Sequence, residues 1–273
     1  MTHSKLRRFR LKHFIWFITA AILVFGVSNS VIAEDGGSCS KLCTFVLKNS
    51  RTSEYTVINR ERAAKQFTPF STFKVPNTLI ALDLGLVENL LQELTYNHDK
   101  YPAKAWWPTI WSERPLTIRE AFQNSAVPIY QQLATEIGAK RMNQYLAGFN
   151  YGNRDASSGI DTFWLNESIK ISALEQIDFL ERLFTGQLPV SQSAIDKFKE
   201  VMLVEETDTY KLYAKTGGGP LAKNKALGWY IGVVESNNNI HFFAINMDGK
   251  SFREIQKKRI VFARKKLSEL GVL

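Results

Sequence analysis

Histidine and cysteine are scarce in this chain of 273 residues, which contains four histidines and two cysteines. Two cysteines cannot form a disulfide-rich scaffold. Only His98, in a polar stretch, and His241, at the start of a predicted strand, lie outside the N-terminal segment, so a Ser-His-Asp triad is disfavoured. The sequence shows no clustered metal ligands and no G-x-G-x-x-G or P-loop motif. If the protein is a hydrolase, its general base is predicted not to be histidine.

The net charge of +9 invites a nucleic-acid interpretation, but much of it lies at the N-terminus. An apolar run over 14–27 follows a basic opening, and Val31 and Ala33 occupy the positions that a signal peptidase reads. The run is shorter than the roughly 20 residues that a membrane-spanning helix needs. We therefore predict a signal peptide over 1–33, cleaved after Ala33, with an uncleaved anchor as the alternative. Its basic residues are Lys5, Arg7, Arg8, Arg10 and Lys12.

Removal of these five charges leaves a predicted mature chain with a net charge of +4. The basic clusters at 257–259 and 264–266 are typical of a solvated helix face, so we expect no nucleic-acid partner. We expect export to the periplasm or the exterior, without stable membrane association after cleavage. In that oxidising compartment Cys39 and Cys43 can pair only if their gap is helical or turned. An extended gap would separate their Cα atoms by about 13 Å.

Strand patterns lie at both ends of the mature chain, and helix patterns lie between them. Predicted strands cover 44–47, 55–58, 210–214, 227–235 and 240–247. Predicted helices begin after Phe70, at 128, at the capping box that starts with Ser172, at 193 and after Arg253. In the last of these, the predicted apolar face is formed by Ile260, Ala263, Leu267 and Leu270. The order predicts an α+β fold over 34–273, with an antiparallel sheet from about 34–70 and 205–273 and an inserted helical subdomain from about 71–204.

Ser71-Thr72-Phe73-Lys74 offers a nucleophile without histidine. Residues three apart on a helix share a face, so the Ser71 hydroxyl and the Lys74 amine can lie side by side. Burial among apolar neighbours favours the neutral amine, which could then act as a base. The motif alone is weak, because Ser38 and Lys41 repeat it with no other sign of function. An ordinary N-cap serine remains the alternative for Ser71.

Further motifs follow in order: Ser125-Ala126-Val127 before a helix, the turn Tyr151-Gly152-Asn153, Lys215-Thr216-Gly217 at a predicted strand end, and Trp229-x-x-Gly232. With Ser71-x-x-Lys74, this set resembles the class D (oxacillinase-type) serine β-lactamases of the penicilloyl-serine transferase superfamily. Tyr151-Gly152-Asn153 is the discriminating element, because class A enzymes carry Ser-Asp-Asn at the second motif. The resemblance covers nearly the whole mature chain and implies a β-lactamase/transpeptidase-like fold.

The resemblance implies that Ser71 forms an acyl-enzyme with a β-lactam and that Lys74, N-carboxylated by CO₂, is the general base. No other cofactor and no metal are expected. Ser125 and Lys215 would protonate the leaving nitrogen, and the backbone N–H groups of Ser71 and Gly218 would form the oxyanion hole. The residues that would bind substrate are Lys215, Thr216, Gly217, Gly218 and Arg253. Those that would support the modified lysine are Phe73, Val127, Tyr151, Asn153, Trp164 and Leu165.

Two segments depart from the family pattern. The stretch over 96–113, with Trp106, Trp107 and Trp111, is longer than expected and is predicted to reshape one wall of the site. Gly218-Gly219-Pro220 replaces a larger residue and a serine, which affects substrate range. The expected partners are small-molecule β-lactams, with a monomer or homodimer as the assembly. Two alternatives stay open: a β-lactam sensor domain that is acylated but turns over slowly, and a penicillin-binding D,D-peptidase.

Overall fold

The computed structural model describes residue 1 and residues 41–236 and 239–273. Six strands form one antiparallel sheet in the order β2-β1-β8-β7-β6-β5, and β3 and β4 form a separate two-stranded antiparallel sheet. The signal peptide, its cleavage site and Cys39 lie outside the described residues. The strands are β1 Cys43–Asn49, β2 Tyr55–Ile58, β3 Glu93–Leu94, β4 Leu116–Thr117, β5 Leu203–Glu206, β6 Tyr210–Ala222, β7 Lys225–Ser236 and β8 Asn239–Gly249.

Eight of the nine α-helices in the described residues lie between β2 and β5, and the ninth follows β8. This arrangement confirms the predicted α+β fold. The predicted capping box is present, because the Ser172 hydroxyl accepts from the Glu175 N–H and the Glu175 carboxylate accepts from the Ser172 N–H. A 3₁₀ turn over Phe70–Phe73 leads directly into α2. The helices are α1 Arg60–Ala64, α2 Lys74–Asp83, α3 Ile110–Glu113, α4 Ile118–Gln123, α5 Val127–Ile137, α6 Ala139–Phe149, α7 Ala173–Phe184, α8 Gln192–Met202 and α9 Phe252–Glu269.

The sheet is covered on both faces. α7 contacts β1 and β8 on one face, where the larger apolar core extends into the helical part. α9 contacts β7 and β8, and a smaller core with Ile255, Ala263 and Leu267 lies beneath it. The buried stripe of α9 is Ile255, Arg259, Ala263 and Leu267, and the predicted face residues Ile260 and Leu270 are half-buried and pack against the same core.

Strand β6 differs most from its predicted form. The sequence predicts a strand over 210–214 that ends at Lys215-Thr216-Gly217, but β6 continues to Ala222. Gly217, Gly218 and Gly219 pair with successive residues of β7 from Trp229 to Leu227, so the glycines lie inside the ladder. The prediction was wrong because glycine has a low preference for strands, whereas here β7 pairs with the glycines and holds them in an extended conformation.

Cys43 at the start of β1 is disulfide-bonded. Within the described part of the chain, no helix has the length and apolar character needed to cross a membrane.

Candidate active site

The predicted nucleophile lies on the 3₁₀ turn Phe70–Phe73, called the nucleophile turn below. Ser71 is half-buried, and Lys74 follows it as the first residue of α2 with only 1% of its surface exposed. The Lys74 amine donates a hydrogen bond of 3.1 Å to the Ser71 hydroxyl oxygen. The three-residue spacing therefore brings the two groups together as the sequence predicts.

Burial lowers the pKa of Lys74 from its ordinary value of 10.5 to about 7. The side chain is fully enclosed, and its amine lies 4.9 Å from the centre of the Tyr130 ring. Removing an ammonium from water disfavours its charged form, so the neutral amine is well populated near neutral pH. A neutral amine beside a serine hydroxyl can accept a proton, which an ordinary lysine at that pH cannot.

Ser125 and Lys215 form a second serine–lysine pair on different elements. Ser125 precedes α5 with a left-handed φ of 55°, and its hydroxyl accepts a 2.5 Å hydrogen bond from the amine of Lys215 on β6. Burial, followed by the positive charges of Lys74 and Arg259, holds the pKa of Lys215 well below its ordinary range. Because the charge of Lys74 reaches Lys215, the two serine–lysine pairs lie close enough to form one site.

An aromatic cluster surrounds the start of α2. The Phe73 ring stacks on Trp164 at 5.4 Å and meets Phe163 and Tyr151 edge-on at 4.8 and 5.7 Å. Trp164 and Tyr151 are fully buried, and the Trp164 indole N–H has no hydrogen-bond partner within the described ranges. The predicted wall residues Val127 and Leu165 are half-buried and pack against this core.

The Tyr151-Gly152-Asn153 turn fixes this cluster from outside. Gly152 has a φ of +51°, and a Cβ on it would lie 2.0 Å from the Lys170 carbonyl oxygen, so only glycine fits. Asn153 is exposed, donates to the Ser168 carbonyl oxygen at 2.8 Å and accepts from the Lys170 N–H at 2.9 Å. The structure thus places Tyr151 inside the cluster, while Asn153 connects the turn to residues 168–170 by hydrogen bonds.

The structure does not bring Arg253 to the site. Arg253 is exposed in the first turn of α9, whereas Arg259 is 4% exposed and donates to the Gly217 carbonyl oxygen on β6. Six helical residues rotate the chain by about 240°, so the two arginines face different directions. The structure therefore places Arg259 directly against β6, and the role of Arg253 in binding substrate stays a prediction.

Arg259 could have been found from its spacing. It lies four residues from both Ile255 and Ala263, on the stripe that packs against the sheet. An arginine on a core-facing stripe is unusual and indicates a specific partner. Burial lowers its pKa to about 10, and its Nε has no hydrogen-bond partner among the described residues.

Trp111 is another residue that sequence analysis did not place. Its indole N–H donates to the Asn124 carbonyl oxygen at 2.9 Å, directly before Ser125. The rings of Trp106, Trp107 and Trp111 pack mainly edge-on, with their centroids 5.7 to 6.1 Å apart. Trp106 is 64% exposed. The insertion is therefore packed on its own aromatic rings and supports the backbone that carries Ser125.

The remaining predicted residues lie on β6 beside these pairs. Thr216 and Gly218 are half-buried, and Gly217 is buried. Over the described part of the chain, no group of three or more His, Cys, Asp or Glu residues is arranged to hold a metal ion.

Comparison with known proteins places this geometry in a family. The family "Penicillin binding protein transpeptidase domain" matches residues 43–265. Beta-lactamase OXA-19 of Pseudomonas aeruginosa is 40% identical over 206 residues, which are 75% of each chain. The crystal structure of the class D β-lactamase YbXI from Nostoc is 35% identical with a TM-score of 0.78, covering 85% of this chain and 94% of that one. Regulatory protein BlaR1 of Bacillus licheniformis is 33% identical over 206 residues, which are 33% of its length.

The sheet, the buried lysines and the family match define a penicillin-binding transpeptidase-type domain. Within that class, the chain belongs to the class D (OXA-type) serine β-lactamases, the enzymes that hydrolyse β-lactams. The resemblance drawn from the motifs is confirmed.

Proposed function

We propose that the protein opens the amide of penicillin-type β-lactams through an ester on Ser71 and then hydrolyses that ester, conferring resistance to these drugs. The observation that carries this proposal is the Ser71 hydroxyl within 3.1 Å of a buried amine whose pKa is about 7. The hydroxyl loses its proton to the base while its oxygen attacks the lactam carbonyl carbon, and the C–N bond then breaks.

Lys74 is proposed as the site of N-carboxylation. The amine adds the carbon of CO₂ and releases one proton, and this requires the neutral form that burial provides. When present, the carbamate supplies a carboxylate-type base for acylation and for the deacylating water. The buried Trp164 indole N–H, which lacks a protein partner among the described residues, and the Ser71 hydroxyl are suited to donate to such an anion.

Ser125 is proposed to protonate the lactam nitrogen as it leaves. The Lys215 amine donates into the Ser125 oxygen, so the Ser125 hydrogen is available to the leaving group. A proton can then return to Ser125 from Lys215. The backbone N–H groups of Ser71 and Gly218 are proposed to stabilise the developing oxyanion.

Arg259, with Thr216, is proposed to attract the carboxylate that accompanies the β-lactam ring. Two observations support this proposal: Arg259 is buried and donates to the Gly217 carbonyl oxygen, and its charge contributes to the lowered pKa of Lys215. A guanidinium binds carboxylates well because it can offer two parallel N–H donors.

The proposal predicts that Arg259→Ala raises KM for a penicillin by about 10-fold to 100-fold, the effect of losing a charge-assisted contact. Arg253→Ala is the matched control, because it removes the same charge from the exposed first turn of α9 and should change KM less than about 2-fold. Steady-state kinetics of both variants test this assignment. A larger effect at Arg253 would restore that residue as the anchor.

Rapid mixing with a chromogenic cephalosporin tests the proposed function. Hydrolysis should continue after the first turnover, at steady-state rates that bicarbonate increases. A burst equal to one enzyme equivalent with no further turnover would instead support a β-lactam sensor domain or a slow D,D-peptidase. We further propose export by the N-terminal segment to the periplasm or exterior, and fractionation of expressing cells tests it.

A further inference from the structure

The three glycines of β6 are each required by a different neighbour. Side chains alternate along a strand, so Gly217 and Gly219 face one side of the sheet and Gly218 faces the other. A Cβ on Gly218 would lie 2.8 Å from Arg259 on α9. A Cβ on Gly217 would lie 2.8 Å from the Thr72 backbone nitrogen, and one on Gly219 would lie 2.8 Å from the Phe70 ring. Both inward glycines therefore meet the nucleophile turn.

Those two contacts lie on either side of the nucleophile. Phe70 precedes Ser71 and rests on Gly219, and Thr72 follows Ser71 and rests on Gly217. The pairing of β6 with β7 through Gly219 and Leu227 fixes the strand at this point. The orientation of Ser71 is thus set by how closely its two chain neighbours approach β6.

Phe70 occupies this place at a conformational cost. Its φ is +49°, in the left-handed region that a bulky L-residue seldom adopts. Its ring is only 6% exposed and belongs to the larger apolar core, so it cannot swing out to make room for a side chain at position 219. The strained backbone persists because the surrounding packing determines it.

We propose that Phe70 and Gly219 form a matched pair that positions Ser71 against β6. Phe70 is therefore a positioning residue, and its ring packs against the backbone of Gly219, which has no side chain. This inference rests on the proposed function, because the position of Ser71 relative to Gly218 matters for an acyl transfer. It also gives a physical reason for a glycine in place of the serine expected after the Lys215 motif.

A four-protein cycle tests the pair: wild type, Phe70→Ala, Gly219→Ala and the double variant. Gly219→Ala adds the one carbon that meets the ring and should slow acylation of Ser71 by about 10-fold to 100-fold, the effect of a small misplacement, with KM changing less than kcat. In the double variant the added methyl group meets no ring, so acylation should return to within about 3-fold of Phe70→Ala. Phe70→Leu, which keeps an apolar side chain of intermediate size, should give an intermediate recovery when combined with Gly219→Ala.

Gly232→Ala is the matched control, since its Cβ would lie 2.2 Å from the Tyr213 carbonyl oxygen on the same sheet without meeting the nucleophile turn. Phe70→Ala should not rescue this variant. The pair would be overturned if the double variant slowed acylation by the product of the two single-variant factors. It would also be overturned if Phe70→Ala rescued Gly232→Ala.

The readouts separate this inference from the proposed function. Acylation is followed by intact mass, so the cycle can be read even if the wild type is acylated without turnover. If no β-lactam reacts, the proposed function fails, and the pair is judged by melting temperature. Gly219→Ala should lower the melting temperature of the wild type. The same substitution made in Phe70→Ala should not lower its melting temperature further. If Gly219→Ala does not fold, recovery of folded protein in the double variant supports the pair, and no recovery overturns it.

Discussion

Replacement of Ser71 by alanine is expected to lower kcat/KM for a β-lactam by about 10⁴-fold or more and to abolish the covalent adduct. The reason is that the Ser71 hydroxyl is the group to which the Lys74 amine bonds, whereas the Ser125 hydroxyl bonds to Lys215. The fold should survive, because the Ser71 side chain is half-buried and its hydroxyl bonds to Lys74 alone in the described residues.

The measurement is intact-mass analysis of the enzyme mixed with a slowly hydrolysed penicillin, together with steady-state kinetics. Ser157→Ala is the matched control, since Ser157 is an exposed loop serine and its variant should react as the wild type does. An adduct of the same mass on Ser71→Ala would assign the nucleophile to another residue, with Ser125 the first to examine.

Activity is expected to fall as pH decreases through about 7 and to be recovered there by bicarbonate. The sign follows from the lowered pKa of Lys74: above about 7 the amine is mostly neutral and can add CO₂, and below it the ammonium cannot. A general base contributes about 10² to 10⁴ in rate, so Lys74→Ala should lose that much and show no response to bicarbonate.

Steady-state hydrolysis between pH 5.5 and 8, with and without bicarbonate, measures this effect. Lys140→Ala removes an exposed lysine from α6 and should keep both the pH profile and the bicarbonate response. Turnover that ignores bicarbonate and survives Lys74→Ala would contradict the carbamate role. Carbon-13 NMR with labelled bicarbonate gives an independent reading, as a carbamate carbon present in the wild type and absent in Lys74→Ala.

The sequence was most informative where structure depends on nearby residues. The strands over 44–47 and 55–58 and the capping box at Ser172 were predicted correctly, since strand patterns and reciprocal caps act over a few positions. Ser71 and Lys74 were predicted to lie side by side for the same reason. Ser125 and Lys215 came together in the prediction only through family resemblance, because 90 residues separate them.

Features that depend on distant packing were missed. The extension of β6 through Gly217 requires β7 beside it, and the helical part contains α6 without a distinctive start signal. Arg253 was assigned through the family resemblance, and the four-residue spacing of Arg259 from Ile255 and Ala263 was not used. The side-by-side burial of two amines is likewise a property of the folded chain.

The buried amine of Lys74 also makes this fold a proton-linked equilibrium. Unfolding returns the Lys74 pKa from about 7 to 10.5, so the unfolded chain binds more protons throughout that interval. The native state is therefore destabilised progressively as pH falls from about 10.5 to 7, and below 7 the difference is constant. Three and a half pKa units correspond to about 5 kcal/mol, comparable to the whole net stability of many domains. Lys215 shifts in the same direction and adds to this linkage. The remainder of the core must therefore supply a reserve of stability that a catalytically inert relative would not need.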